Sequence, residues 1–269
     1  MASTGDRVVS IGRIFSRAFA TMSSNPVTVF GISFVFGALP GVVMNYVSQN
    51  LGYSQQNFRT GVITPLFFFS VLAVTVVLSI FFAVLTQGAL VRATAAHSEG
   101  RKASFAESAM AGLRVVLPLF VLGVLLGLGI ILGFVLLIVP GVLLYLMWAV
   151  AAPALVEEGT GVFGAFARSR ELTKGARWTV LGLGLIMILM YWLFSLVIGI
   201  LFLALYGRNG LQGMATTMQN GLPIAFLLLS GLVTTVLTAI LNTIQTSLYV
   251  ELKNWKDGPG SEKLADIFA

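Results

Sequence analysis

Thr235, Thr238, Asn242, Gln245 and Tyr249 follow one another at intervals of 3, 4, 3 and 4 residues. That spacing places all five on one face of a helix, inside a stretch that is otherwise almost wholly apolar. Amides, hydroxyls and a phenol exchange hydrogen bonds readily but are weak acids, bases and nucleophiles. The chemistry on offer is therefore binding. The stripe either lines a cavity open to the cytoplasmic side of a membrane or bonds one helix to another, and both uses stay open. Gln87, at similar depth on an earlier apolar stretch, is the expected partner.

Three further groups of residues carry a pattern. Arg92, Glu157, Arg168, Arg170, Glu171 and Glu251 stand near the ends of apolar stretches. They suit an inner-face ion-pair network or contacts to anionic lipid headgroups, with a solvated face that only sets orientation as the alternative. Glu157 and Glu158 are adjacent and need not converge, which makes a poor acid–base pair. Gly123, Gly127, Gly129 and Gly133 form two small-xxx-small pairs, for a dimer face or for close packing within one bundle. His97 is the only histidine and cysteine is absent, so a metal site would need carboxylates alone. His97 reads as solvated, and neither metal nor cofactor is expected. GxSxG, HExxH and GxxxxGK[ST] do not occur in the sequence, and no other catalytic constellation is visible.

These residues have to be positioned by helices in lipid. Of 269 residues, 57% are apolar and 10% charged. A soluble domain carries roughly 25% charge, so lipid must solvate most of this surface. Residues 115–156 contain no charge; at 1.5 Å rise per residue that is about 63 Å of helix, enough for two crossings. Pro140-Gly141 is the expected turn between them. The expected spans are about 26–47, 62–92, 116–138, 141–156, 178–206 and 222–250, making an all-α polytopic membrane protein with six transmembrane helices. Pro40 should kink the first span, and Pro118 should lie near the start of the third.

An even number of crossings puts both termini on one side. Only Arg59 and Arg208 among the 26 charged residues fall in the outer loops. The other 14 of the 16 Lys and Arg mark the inner side, which predicts an N-in, C-in orientation. The net charge of +6 is this positive-inside signature rather than a nucleic-acid stripe, because the basic residues are spread over four short segments with acids interleaved.

The inner segments are patterned too. Residues 8–22, 104–114 and 161–175 each read as an amphipathic interfacial helix, the second opening on a capping box at Ser104 and Glu107. Phe105, Ala109, Leu113 and Val116 are its expected apolar side. Ungapped alignment of the three superposes Ser16, Ser108 and Ser169, and also Gly31, Gly123 and Gly184, which suggests a threefold repeat. The domains expected are an N-terminal helix in 1–24, a membrane domain in 25–253, and a cytoplasmic tail in 254–269 with a short helix over 262–268.

The run Pro140-Gly141, Trp148, Ala152-Pro153, Val156-Glu157-Glu158-Gly159, followed by Ala165-Phe166-Ala167-Arg168-Ser169-Arg170-Glu171-Leu172-Thr173-Lys174-Gly175-Ala176-Arg177-Trp178, resembles a prokaryotic family of integral membrane proteins. It is similar to the membrane domain attached to some glycerophosphodiester phosphodiesterases and to six-helix proteins lacking that enzyme. The resemblance implies a prokaryotic cytoplasmic-membrane protein. It implies no activity, since the phosphodiesterase is a separate soluble barrel and the chain ends 19 residues after the last expected span.

The function expected is a non-enzymatic membrane protein that binds or moves a lipid or amphipathic small molecule from the cytoplasmic side. A scaffold or assembly subunit, with a homo-oligomer or complex partner, is the alternative. A membrane-embedded enzyme acting on lipids comes third. Membrane lipids are the expected partners, and nucleic acid is not.

Overall fold

The computed structural model describes residues 9–51, 57, 59–61, 63–207, 210, 212, 213 and 221–258. Among these, helix is the only regular structure. The helices are α1 (Ile11–Ser24), α2 (Pro26–Ile32), a π-helical turn (Ser33–Ala38), α3 (Leu39–Asn50), α4 (Pro65–Ser98), α5 (Phe105–Leu136), α6 (Ile138–Trp148), α7 (Ala151–Glu158), α8 (Gly161–Thr173), α9 (Arg177–Tyr206) and α10 (Ile224–Lys256). Six helical runs among the described residues are long and apolar enough to cross a membrane: Pro26–Asn50, Pro65–Ser98, Phe105–Leu136, Ile138–Glu158, Arg177–Tyr206 and Ile224–Lys256. Their flanks expose large apolar side chains such as Leu66, Leu136, Ile138 and Trp192, a surface that lipid solvates and water does not.

The core lies toward one end. In α4 the buried residues run only from Val84 to Ala96, and in α10 they are densest from Thr243 to Leu252. All of α7 from Ala151 to Leu155 is buried. The C-terminal halves of α4 and α10 and the whole of α7 meet here. Against them pack α1, on α10, and α8, on α7. Gly88 and Gly112 set the α4–α5 distance: a Cβ on Gly112 would lie 2.8 Å from the Leu85 carbonyl oxygen.

Several expectations need correction. The turn is not at Pro140-Gly141. Helix α5 ends at Leu136, Leu137 is extended (φ −167°, ψ 156°), and Pro140 sits in the first turn of α6. A proline there forfeits no helical hydrogen bond, so it starts a helix as readily as it ends one. Gly141 serves close packing instead: a Cβ on Gly133 would lie 2.9 Å from its Cα.

Residues 104–114 are not a separate interfacial helix. Ser104 Oγ accepts from the Glu107 N–H at 3.1 Å, and the helix it caps runs unbroken through Pro118 to Leu136. Pro118 is thus well inside α5, where packing of Gly112 and Leu119 on α4 offsets the lost bond. The packed face is Ser108, Gly112, Leu119 and Leu122, whereas Leu113 is exposed.

The fourth expected span is divided at Ala149–Val150, where Val150 leaves the helical region (φ −118°, ψ 20°). Pro153 is the cause. It has no N–H for the Ala149 carbonyl, and its ring would clash with that oxygen in a continuous helix. Pro40 acts similarly on the first run, where the distortion takes the form of the π turn just before it. Helices α4 and α10 extend to Ser98 and Lys256, past the expected ends at 92 and 250, so α10 runs into the expected tail. The 262–268 helix lies outside the described residues.

The aligned serines sit in unlike places. Ser16 is exposed, Ser108 is buried without a hydrogen-bond partner, and Ser169 is buried and bonded twice.

Candidate functional site

The break between α6 and α7 leaves two main-chain groups without helical partners, and two side chains meet them. Gln245 Nε2 donates to the Ala149 carbonyl oxygen at 3.0 Å. Ser169 Oγ accepts from the Val150 N–H at 3.2 Å and donates to the Met147 carbonyl at 2.9 Å. Gln87 Nε2 on α4 donates to Gln245 Oε1 at 3.3 Å. One chain of hydrogen bonds thus joins α4, α10 and the α6–α7 joint.

The polar stripe divides by use. Thr235 is buried, and its hydroxyl donates to the Gly231 carbonyl of its own helix at 2.8 Å. Gln245 and Tyr249 bond between helices; the Tyr249 hydroxyl donates to Glu158 Oε1 at 2.8 Å. Thr238 and Asn242 instead face a cavity of about 430 Å³, together with Gln87, Thr86, Gly37, Ile80, Ala83 and Val84. Asn242 donates to the Thr238 carbonyl, 2.9 Å away on its own helix. The walls are amphipathic: amides and hydroxyls from α4 and α10, and, one to two turns before Gln87 on the same face of α4, the aliphatic side chains of Ile80, Ala83 and Val84. Ile80 and Ala83 are exposed and form its mouth. A second cavity, about 150 Å³, lies beyond Gln245 and is lined by Tyr145, Trp148, Gly184 and Met187 among others.

The charged residues form three clusters. Arg92 pairs with Glu157 at 3.3 Å and approaches Glu99 and Glu107 at 3.8 Å each, and Arg101 joins the same two acids at 2.8 and 2.7 Å. Arg168 pairs with Glu158 at 2.8 Å, with Glu171 at 3.1 Å and with Asp257. Burial works against the charge of Arg168, but the hydrogen bonds to Asp257 and Glu158 outweigh it and hold its pKa above the ordinary arginine value. Glu251, 6% exposed, takes Arg13 at 2.6 Å and Arg17 at 3.4 Å. Arg170 is exposed and has no part in these described ion pairs.

In each cluster an ion pair ties a short helix or a helix start to the C-terminal end of another helix: Arg13 on α1 to Glu251 on α10, Glu107 on α5 to Arg92 on α4, and Arg168 on α8 to Glu158 on α7.

The glycine face also divides. A Cβ on Gly129 would meet the Trp148 ring at 2.5 Å, and Gly133 meets Gly141, so these two serve packing of α5 on α6. A Cβ on Gly123 or Gly127 would meet nothing within 4 Å.

A family model described as "Domain of unknown function (DUF7847)" matches residues 9–252. The chain belongs to this family. The family match takes in α1 through nearly all of α10, and so the cavity and the three charge clusters except Asp257. No curated protein and no solved structure matches the chain.

Sequence reasoning overlooked Ser169 as a partner for the helix break, and Thr86 and Gly37 as cavity walls. Pro153 was a usable signal for the break. The expected pairing of Gln87 with the stripe is met at Gln245, but nothing in the sequence marks how α4 and the π turn are rotated, and that decides that Thr86 and Gly37 share the cavity with Asn242.

Proposed function

We propose that the chain is an integral membrane protein, with both termini on the cytoplasmic side, that binds a lipid or amphipathic small molecule in the cavity beside Asn242. The observation that carries this reading is the cavity itself. Its volume of about 430 Å³ lies in the range of small-molecule sites, roughly 300–1,000 Å³, and its lining combines amide and hydroxyl groups with aliphatic side chains. A headgroup-sized polar moiety can bond Gln87, Thr238 and Asn242 while an apolar tail leaves past Ile80 and Ala83 into lipid. No carboxylate or imidazole lines it, so the cavity is furnished for binding rather than for proton transfer.

The orientation rests on the bias of Lys and Arg toward one set of segments. The interfacial position of α1 and α8 rests on their packing on α10 and α7 and on the aromatic side chains, Phe19 and Phe163, that they leave exposed. The likeness of 140–178 to the phosphodiesterase-associated membrane domain bears on layout alone.

Native mass spectrometry from mild detergent tests the proposal. A ligand retained by the monomer supports it. A ligand-free dimer supports instead the scaffold reading, for which the open faces of Gly123 and Gly127 are the specific observation. A ligand-free monomer contradicts both.

A further inference from the structure

Arg177, the first residue of α9, stands apart from the three charge clusters. Its side chain is partly buried, and its Nε–H is closed off from water and donates to no acceptor among the described residues. A charged donor in that state is costly. No acid stands in the first turn of α9 to answer it.

The guanidinium belongs to the wall of a groove of about 360 Å³ between α6 and α9. Leu146, which is buried, and Leu181, partly buried, form its floor. Ile138, Val139 and Leu143 on α6 and Trp178 on α9 are exposed along its edges. Positions 138, 142 and 146 follow one another on one face of α6, so the aliphatic wall runs for about 12 Å. Among the described residues no carboxylate lines the groove. One end of an otherwise apolar channel therefore carries a cation whose Nε–H no protein oxygen accepts.

We propose that this groove docks an anionic phospholipid, with the phosphate at Arg177 and one acyl chain along α6. The guanidinium fork matches phosphate oxygens in pairs, and a phosphate oxygen at Nε supplies the missing acceptor. Arg177 opens a run long and apolar enough to cross a membrane, and the end of such a run lies at headgroup level. Trp178 beside it, 86% exposed, has the amphipathic ring suited to the same level. A zwitterionic headgroup would bring an ammonium for which the lining holds no carboxylate. The groove shares no lining residue with the cavity at Asn242, and neither reading depends on the other.

The test places the full chain in phosphatidylcholine vesicles that carry an equal fraction of phosphatidylglycerol or phosphatidylcholine brominated on its acyl chains. Bromine quenches a tryptophan it touches, and the Trp178 signal is the difference between chains with and without Trp178→Phe. Brominated phosphatidylglycerol should quench Trp178 with an apparent affinity about fivefold above that of brominated phosphatidylcholine, the scale of one arginine beside an anionic headgroup. Arg177→Gln should abolish the difference, and Arg177→Lys should keep part of it. No hydrogen bond of the Arg177 Nε–H is lost in either variant, so the fold survives, as equal unfolding midpoints would show. Asn242→Leu should leave the difference unchanged, so this site and the Asn242 cavity fail separately. Equal quenching by the two lipids in wild type, or a difference that outlives Arg177→Gln, overturns the proposal. Quenching by neither lipid overturns it too, since protein would then cover the groove.

Discussion

Gln245 gives its amide hydrogen to the Ala149 carbonyl, 3.0 Å away on a different helix. That oxygen has no helical donor because Pro153 stands four residues on. In water the defect would be solvated; among apolar helices it must be met by protein.

Gln245→Leu should therefore destabilise the fold. The variant leaves the Ala149 carbonyl unsatisfied and takes the acceptor from Gln87. The expected cost is about 1–3 kcal/mol, read as a lowered midpoint of thermal unfolding in detergent. An unchanged midpoint would show that the joint is not held by this bond.

Ser169→Ala removes the other seal, the acceptor for the Val150 N–H and the donor to Met147. A loss of about 1–3 kcal/mol is expected. Both residues act on one joint, so the double variant with Gln245→Leu should lose less than the sum of the two single losses. Strict additivity would argue that the two seals work independently.

Gly112→Ala and Gly123→Ala should part company. The new Cβ at Gly112 would meet the backbone of α4 at 2.8 Å, forcing the helices apart at a cost of about 1–3 kcal/mol. At Gly123 it meets nothing, and replacing a helical glycine by alanine stabilises by up to about 1 kcal/mol. The comparison is read by unfolding midpoints of the two variants. If Gly123→Ala were the damaging one and also changed the oligomeric state, the glycine face would be a contact between copies.

How far the sequence speaks can be followed through these residues. Charge and apolar length mark six helical runs because lipid imposes both constraints on composition. Caps such as Ser104 were visible because a cap is a local event. Pro140 and Pro153 were harder. Proline tells that one hydrogen bond is missing, yet whether the chain turns, begins a helix or breaks within a run depends on what neighbouring helices supply. The stripe on α10 was legible as a stripe. Its division into Tyr249 and Gln245, which bond across helices, and Thr238 and Asn242, which face a cavity, follows from the direction of α4 and the π turn, and periodicity carries no information on that.

Asn242 separates binding from stability. Among the described residues its amide bonds only to the Thr238 carbonyl of its own helix, an oxygen that the helix satisfies without help, so Asn242→Leu orphans no described buried group. The central claim is that Asn242 faces a ligand. Its most direct test is the amount of ligand retained by Asn242→Leu beside wild type in native mass spectrometry, with unfolding midpoints measured on the same samples. Retention should fall roughly tenfold, as expected for one lost hydrogen bond, while the midpoint stays put. Equal retention by both proteins, or a loss of ligand that only follows a loss of fold, would contradict the account.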